Sequence, residues 1–292
     1  MEREDLHLRR RTLTVRRAGS GEPTVMVHGL GGSSHNWRDL ARLLSPRLEM
    51  WIPDLPGFGW SPPPRDGNLT PLGHARAVVD LIDHMDRGPV HLFGNSLGGA
   101  VALQIAARRP DLVRSLTLIS PALPQLPATR QAALLPLLAL PGLGESAFGR
   151  MNEPGPEQRV QGVIDLCIAD PSFITPERRA FMVADVAERQ HLTYSGDAML
   201  QSLRGLLATF IDSGPRRPWK LAELVTAPTL LVYGQRDRLI DWRSSHRATR
   251  HFRDSTVLLL PDSGHVPMVE HAPEVAEAWE TSIGARAGHL AS

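Results

Sequence analysis

The chain has 292 residues, 42% of them apolar and 22% charged, and carries a formal net charge of +1. Such a length allows one large α/β domain or two small ones, and the composition excludes a disordered or fibrous chain. The balanced charge leaves no basic stripe for nucleic acid; the lone Cys167 rules out an internal disulfide, and without a Cys/His cluster neither a metal nor another cofactor is expected.

The N-terminal residues Met1 to His7 are charged and no apolar core follows them, which is not the pattern of a signal peptide. The first strand pattern is Leu13–Val15, followed by Thr24–Val27 and Glu49–Ile52. A helical pattern covers Thr70–Met85, a short apolar strand Val90–Phe93, and an alanine-rich helix Leu97–Arg109 that Pro110 stops. Ser115–Ile119 is the next strand. From 121 to 218 only helical patterns occur: Ala132–Leu140, Glu157–Ile168, Pro176–Gln190 and Ala198–Ile211. Its most apolar run, Ala132 to Leu143, is too short to span a bilayer and is broken by Pro136 and Pro141, so a soluble, cytoplasmic protein without membrane insertion is expected. Strands resume at Pro228–Tyr233 and Ser255–Leu260, and a helix closes the chain from Pro273.

Short, nearly all-apolar strands alternating with helices predict a parallel sheet covered on both faces. Residues 1–120 and 219–292 are expected to form that core. The helical stretch 121–218 is expected to cap the carboxyl ends of its strands.

The stretch Gly94-Asn95-Ser96-Leu97-Gly98 lies between a predicted strand and a predicted helix. A strand, a G-x-S-x-G turn and a helix make a nucleophile elbow, which lifts the serine hydroxyl clear of the sheet. The glycines are needed because a side chain at 94 or 98 would meet the neighbouring strand or helix. A serine hydroxyl needs a base, and the base needs an orienting acid. Chemistry in such a sheet collects beyond the carboxyl ends of the strands. His265 is the histidine that follows a late strand, and Asp237 follows the strand before it. Asp241 and Asp262 are rival acids that sit less well after their strands. His28 reads as a structural histidine and Asp54 as a residue fixing its own turn, while His35, His74, His84 and His246 read as surface histidines.

The order Ser96, Asp237, His265 is that of the α/β-hydrolases. The chain resembles that superfamily in His28-Gly29-Leu30-Gly31-Gly32, in Asp54-Leu55-Pro56-Gly57-Phe58-Gly59, in the elbow, and in the Asp237 and His265 segments. The likeness is to the branch of capped serine esterases, C–C hydrolases and haloperoxidase-like enzymes. It implies an α/β-hydrolase fold: a mostly parallel, doubly wound sheet with a helical cap inserted after the sixth strand. It also implies an oxyanion hole formed by the backbone N–H groups of Leu30 and Leu97.

A serine at 96 separates the chain from relatives that attack with aspartate or cysteine. What remains is acyl transfer, or C–C cleavage of vinylogous diketones. Asn95 beside the serine resembles the C–C hydrolases, but Val266 stands where they commonly carry tryptophan, and Arg159, Arg178, Arg179 and Arg189 are the cap cations available for a carboxylate. Cap residues Leu134, Leu135, Leu137, Leu138, Leu140, Leu143, Phe148 and Met151 form either an apolar substrate site or cap core. A carboxylesterase for apolar, small-to-medium substrates is expected, with Asn95, Val266, Phe148 and Met151 meeting the substrate. A C–C hydrolase is the second reading, and a ligand-binding receptor on a hydrolase fold is the reading from another class.

Overall fold

A computed structural model describes residues 1–125 and 128–284, apart from the side chains at 151 and 152. The strands are β1 (Glu2–His7), β2 (Thr12–Ala18), β3 (Glu22–Val27), β4 (Leu48–Pro53), β5 (Val90–Asn95), β6 (Val113–Ile119), β7 (Thr229–Gly234) and β8 (Ser255–Leu260). They form one sheet in the order β1-β2-β4-β3-β5-β6-β7-β8. The β1–β2 and β2–β4 pairs are antiparallel, and every pairing from β4 through β3 to β8 is parallel. This is an α/β-hydrolase fold. β1 has no counterpart in the sequence patterns because it is a charged edge strand, EREDLH, with only Leu6 buried.

Helices cover both faces. On one lie α1 (Arg38–Leu44) and, from the far end of the chain, two helices described below; on the other lie α2 (Pro71–Met85) and α3 (Leu97–Arg108). α2 begins where the Thr70 hydroxyl accepts the Gly73 N–H at 3.1 Å, with Pro71 in the first turn, and ends at Asp86 in the left-handed region. Between β6 and β7 the chain forms α4 (Leu135–Leu138), α5 (Leu143–Asn152), α6 (Pro156–Cys167), α7 (Pro176–Arg189), α8 (Ser195–Ile211) and α9 (Pro218–Ala222). After β7 come α10 (Ser245–His251), α11 (Pro267–Glu270) and α12 (Ala272–Trp279). Two apolar clusters, one on each face, make the core. Leu40, Leu44, Phe93, Val275 and Trp279 belong to the α1–α12 side, and Val78, Leu81, Leu97, Val101 and Trp219 to the α2–α3 side.

The insert between β6 and β7 is fastened to the core at several points. A Cβ on Gly57 would lie 2.5 Å from Ala198 Cβ, and one on Gly205 would lie 2.8 Å from Thr70 Cα, so α8 sits directly on the loop after β4 and the start of α2. His74 Nε2 and Ser202 Oγ are 3.0 Å apart between α2 and α8. On α7, Arg178 pairs with Asp39 of α1, and the Phe181 ring meets His35 edge-on at 4.8 Å.

Three sequence expectations change here. His74 is fully buried and His35 largely so, because α7 and α8 close over positions that local pattern reads as surface. His84 and His246 are exposed. Leu134, Leu137, Leu140 and Leu143 are 46–60% exposed, so these four line neither a pocket nor a core. Pro136 and Pro141 cut that run into short pieces with no helical face long enough to pack. No single helix among the described residues is long and apolar enough to cross a membrane; Ala132–Leu138 and Leu143–Arg150 pass on length and composition only as a pair bent by 110°.

Burial lowers the pKa of His74 to about 3, and burial likewise pulls His28, His35 and His91 down. A histidine depressed in the native state binds fewer protons there than in the unfolded chain. Its stabilisation is therefore complete above the unfolded value, near 6.5, and is lost as pH falls toward the folded value. Between pH 7.5 and pH 5, His74 alone should cost about 2 kcal/mol. Urea melts of wild type and His74→Gln at both pH values check this: the variant should lose less stability on acidification, and an identical loss contradicts the assignment.

Candidate active site

β5 runs into α3 through Ser96, whose backbone stands at φ 54° and ψ −117°. The strained peptide is held on both sides. Its N–H donates to Ile119 O at 3.0 Å, and its C=O accepts from Gly99 N, Ala100 N and Ala122 N at 2.9, 3.2 and 3.0 Å. The flanking glycines have no room for a side chain: a Cβ at Gly94 would lie 2.3 Å from Gly98 O, and one at Gly98 would lie 2.2 Å from Val27 O. Ser96 is half-buried and Leu97 fully buried.

Asp237 and His265 come from the loops after β7 and β8, and Asp237 Oδ2 lies 2.8 Å from His265 Nδ1. The other carboxylate oxygen of Asp237 accepts the N–H groups of Leu239 and Ile240, at 2.8 and 3.0 Å. An acid that accepts leaves the ring proton on Nδ1 and makes Nε2 the acceptor. Among the described residues no hydrogen bond joins Ser96 Oγ to His265. Asp262 is engaged with Arg236, and Asp241 caps a helical turn through Arg243 N, so neither rival acid reaches His265.

The loop after β3 carries Leu30. His28 Nε2 accepts the Leu55 N–H at 2.9 Å and its Nδ1–H donates to Gly29 O at 2.8 Å, which ties this loop to the one after β4. Burial holds His28 neutral. Asp54, 1% exposed, accepts Ser34 N–H at 2.7 Å and Trp60 N–H at 3.0 Å, so it secures the Leu30 loop as well as its own turn. Among the described residues neither the Leu30 N–H nor the Leu97 N–H has an acceptor. A pair of unengaged donors beside a serine is what a developing oxyanion requires.

Asn95, expected to meet substrate, is instead 3% exposed, and its amide donates to Ile119 O and His265 O at 3.1 and 3.2 Å. It joins the elbow to the His265 loop. Val266 is buried in the apolar cluster that also holds Val160, Ile164 and Ile168 of the insert. Phe148 lines a cavity of about 530 Å³ shared with Arg159, Leu192 and Leu200, all within the insert, and neither Ser96 nor His265 lines it. The side chain of Met151 lies outside the described residues.

Three residues come to the site that the sequence does not announce. On Gly31, a Cβ would lie 3.4 Å from Met199 Sδ, so α8 overhangs the Leu30 loop. Cys167 O accepts the His265 N–H at 2.7 Å, and burial, with the Asp237 and Glu270 charges, pushes the Cys167 thiol up to about 12. It is therefore a protonated, unreactive neighbour of the acid. Glu270 bonds Gly264 N at 2.7 Å. Met199, Cys167 and Glu270 each reach a partner about a hundred or more residues away, so no local signal marks that contact.

The family model described as "Alpha/beta hydrolase family" matches residues 24–278. The dihydrolipoyllysine-residue acetyltransferase component of an acetoin cleaving system from Pseudomonas putida is 31% identical over 261 residues, which is 87% of this chain and 61% of that protein. This chain thus spans less than two thirds of that relative's length. Lipase 1 of Psychrobacter immobilis is 26% identical over 265 residues, covering 89% of this chain and 76% of the lipase. The solved structure of 2-hydroxy-6-oxo-6-phenylhexa-2,4-dienoate hydrolase from Rhodococcus sp. strain RHA1 superposes with a TM-score of 0.76 at 20% identity, covering 96% of this chain and 99% of that one.

Removing Asp54 leaves the buried Ser34 N–H and the half-buried Trp60 N–H unpaired. Asp54→Ala should destabilise the fold by about 3 kcal/mol in urea melts. A loss below about 0.5 kcal/mol, the size of an ordinary surface change, would contradict the role.

Proposed function

Because this chain belongs to the alpha/beta hydrolase family, we propose that it is a serine carboxylesterase acting on apolar, small-to-medium esters. The observation that carries the reading is the Asp237–His265 pair at 2.8 Å, formed at the ends of β7 and β8, together with the strained Ser96 at the end of β5. Ser96 Oγ attacks the ester carbonyl while His265 Nε2 takes its proton. The oxyanion is received by the N–H groups of Leu30 and Leu97, each worth roughly 3 kcal/mol in such a site. The alcohol leaves with the proton from His265, and water, activated by the same imidazole, releases the acid from the acyl-enzyme. Asp237 keeps the ring in the tautomer that both steps need.

An ester preference draws support from two of the four insert cations named above. Arg178 and Arg189 are engaged with Asp39 and Asp185, which leaves them poorly suited to a substrate carboxylate. Leu30, beside Met199, supplies apolar surface instead. Cleavage of a vinylogous diketone is the second reading.

Ser96→Ala should fold normally and lower kcat on a p-nitrophenyl ester by about 10⁴ or more, and a fluorophosphonate should label Ser96 in the wild type. Full activity in the variant, or labelling elsewhere, refutes the nucleophile. A binding receptor would show almost no turnover even in the wild type.

Along a series from acetyl to hexanoyl esters, kcat/KM should rise by about 0.8 kcal/mol per buried methylene, or roughly fourfold, until the pocket fills. If a ring-cleavage diketone is turned over far faster than any of these esters, the ester assignment fails.

A further inference from the structure

The peptide of His265 is framed by two hydrogen bonds from different parts of the molecule. Its C=O accepts from Asn95 Nδ2 of the elbow at 3.2 Å, and its N–H donates to Cys167 O, the last residue of α6, at 2.7 Å. The second bond joins the base loop to the insert. The two segments lie so close that a Cβ on Gly264 would stand 2.4 Å from Cys167 O and 2.8 Å from Ala169 N.

Into this junction α11 projects Glu270, 5% exposed. Its Oε1 accepts the Ala169 N–H at 2.7 Å, on the insert side. Its Oε2 accepts the Gly264 N–H at 2.7 Å and the Ser263 hydroxyl at 3.3 Å, on the base side. Among the described residues no cation pairs with it. Burial pushes the Glu270 pKa up, and these donors, with the Asp170 N–H, oppose that. A buried carboxylate stays in place when enough donors surround it. Here the donors belong to two segments about a hundred residues apart in the chain. The carboxylate sets the distance between them, and with it the Cys167–His265 bond.

We propose that Glu270 is a positioning residue that locks the end of α6 against the His265 loop, so that seating of the insert and alignment of the base are a single event. The inference rests on His265 being the general base. If residues 167–170 shift, His265 loses the acceptor of its N–H and Gly264 loses its carboxylate partner, so the imidazole is no longer held over the elbow. Misplacement of a catalytic group by an ångström lowers rates by about 100-fold.

The test is kinetic, on the full-length protein with p-nitrophenyl butyrate, with rates expressed per site labelled by a fluorophosphonate and with thermal melts alongside. Glu270→Gln keeps the shape but turns an amide N–H toward one of the two backbone donors. It should lower kcat by about 10- to 100-fold while KM stays within about threefold. Ala169→Pro breaks the link from the insert side, because it removes the N–H and sets a ring carbon where that hydrogen met Glu270 Oε1; Ile168, at ψ 132°, already has the extended backbone that a following proline requires. It should lower kcat in the same range, and the double variant should be no worse than the poorer single, because both break one link. If Glu270→Gln does not yield folded protein, Ala169→Pro decides.

Wild-type kcat per labelled site in either folded variant overturns the proposal, as does a loss in melting temperature without a loss in kcat. Strictly multiplicative effects in the double variant also overturn it. None of these outcomes touches the assignment of Ser96, which fails if Ser96→Ala keeps full activity or if another residue is labelled.

Discussion

The carboxyl-end face of the sheet is organised around one backbone conformation, the left-handed Ser96 between β5 and α3. A non-glycine residue in that region carries strain on the order of 1–3 kcal/mol and persists only where its surroundings over-determine it. The surroundings do so through close approach. α3 presses so near β3 that Gly98 has no space for a Cβ, and Gly99 lies against Pro121 in the same way. The Ser96 peptide bonds to the ends of β6 and of the segment beyond it. The close approach of α3 to β3 goes with turning a strand into a helix at a single residue.

Loops that meet beyond the strand ends have lost their ladder partners, and their backbone groups still require hydrogen bonds. In this protein buried side chains supply them. His28 links the loop after β3 to the loop after β4, and Asp54 links the second back to the first. Asn95 reaches the His265 loop, Asp237 anchors its own loop while orienting the imidazole, and Glu270 reaches both the His265 loop and the insert. Each is a polar group in a dry place, stable because its partners are fixed backbone donors and acceptors. The result is a cluster of side chains that come from separate loops yet share one rigid frame.

The insert shows how packing, and not composition, decides the role of an apolar residue. α8 is joined to α2 through Gly205, Ser202 and His74, and lays Met199 on the Leu30 loop. α6 ends against the His265 loop. In contrast, the leucines around Pro136 and Pro141 turn outward, although they form the most apolar run in the chain. An exposed patch of this kind on a surface is unusual, and nothing among the described residues covers it.

What the sequence by itself determined was local: the strand–turn–helix around Ser96, the chain order of serine, acid and histidine, and the alternation that makes a parallel sheet. Each is written in contiguous residues, because a tight turn needs glycine where it stands and a buried strand needs an unbroken apolar run. β1 escaped because an edge strand needs little apolar surface, and α5 because α4 and α8, not its own periodicity, hold it. Only the tertiary structure decided the contacts of Asn95, Cys167, Met199 and Glu270, the burial of His74, and the outward turn of four leucines of the insert. Those depend on partners up to 170 residues away, and a hydrogen bond or a close approach over such a separation leaves no trace in the spacing of neighbouring residues.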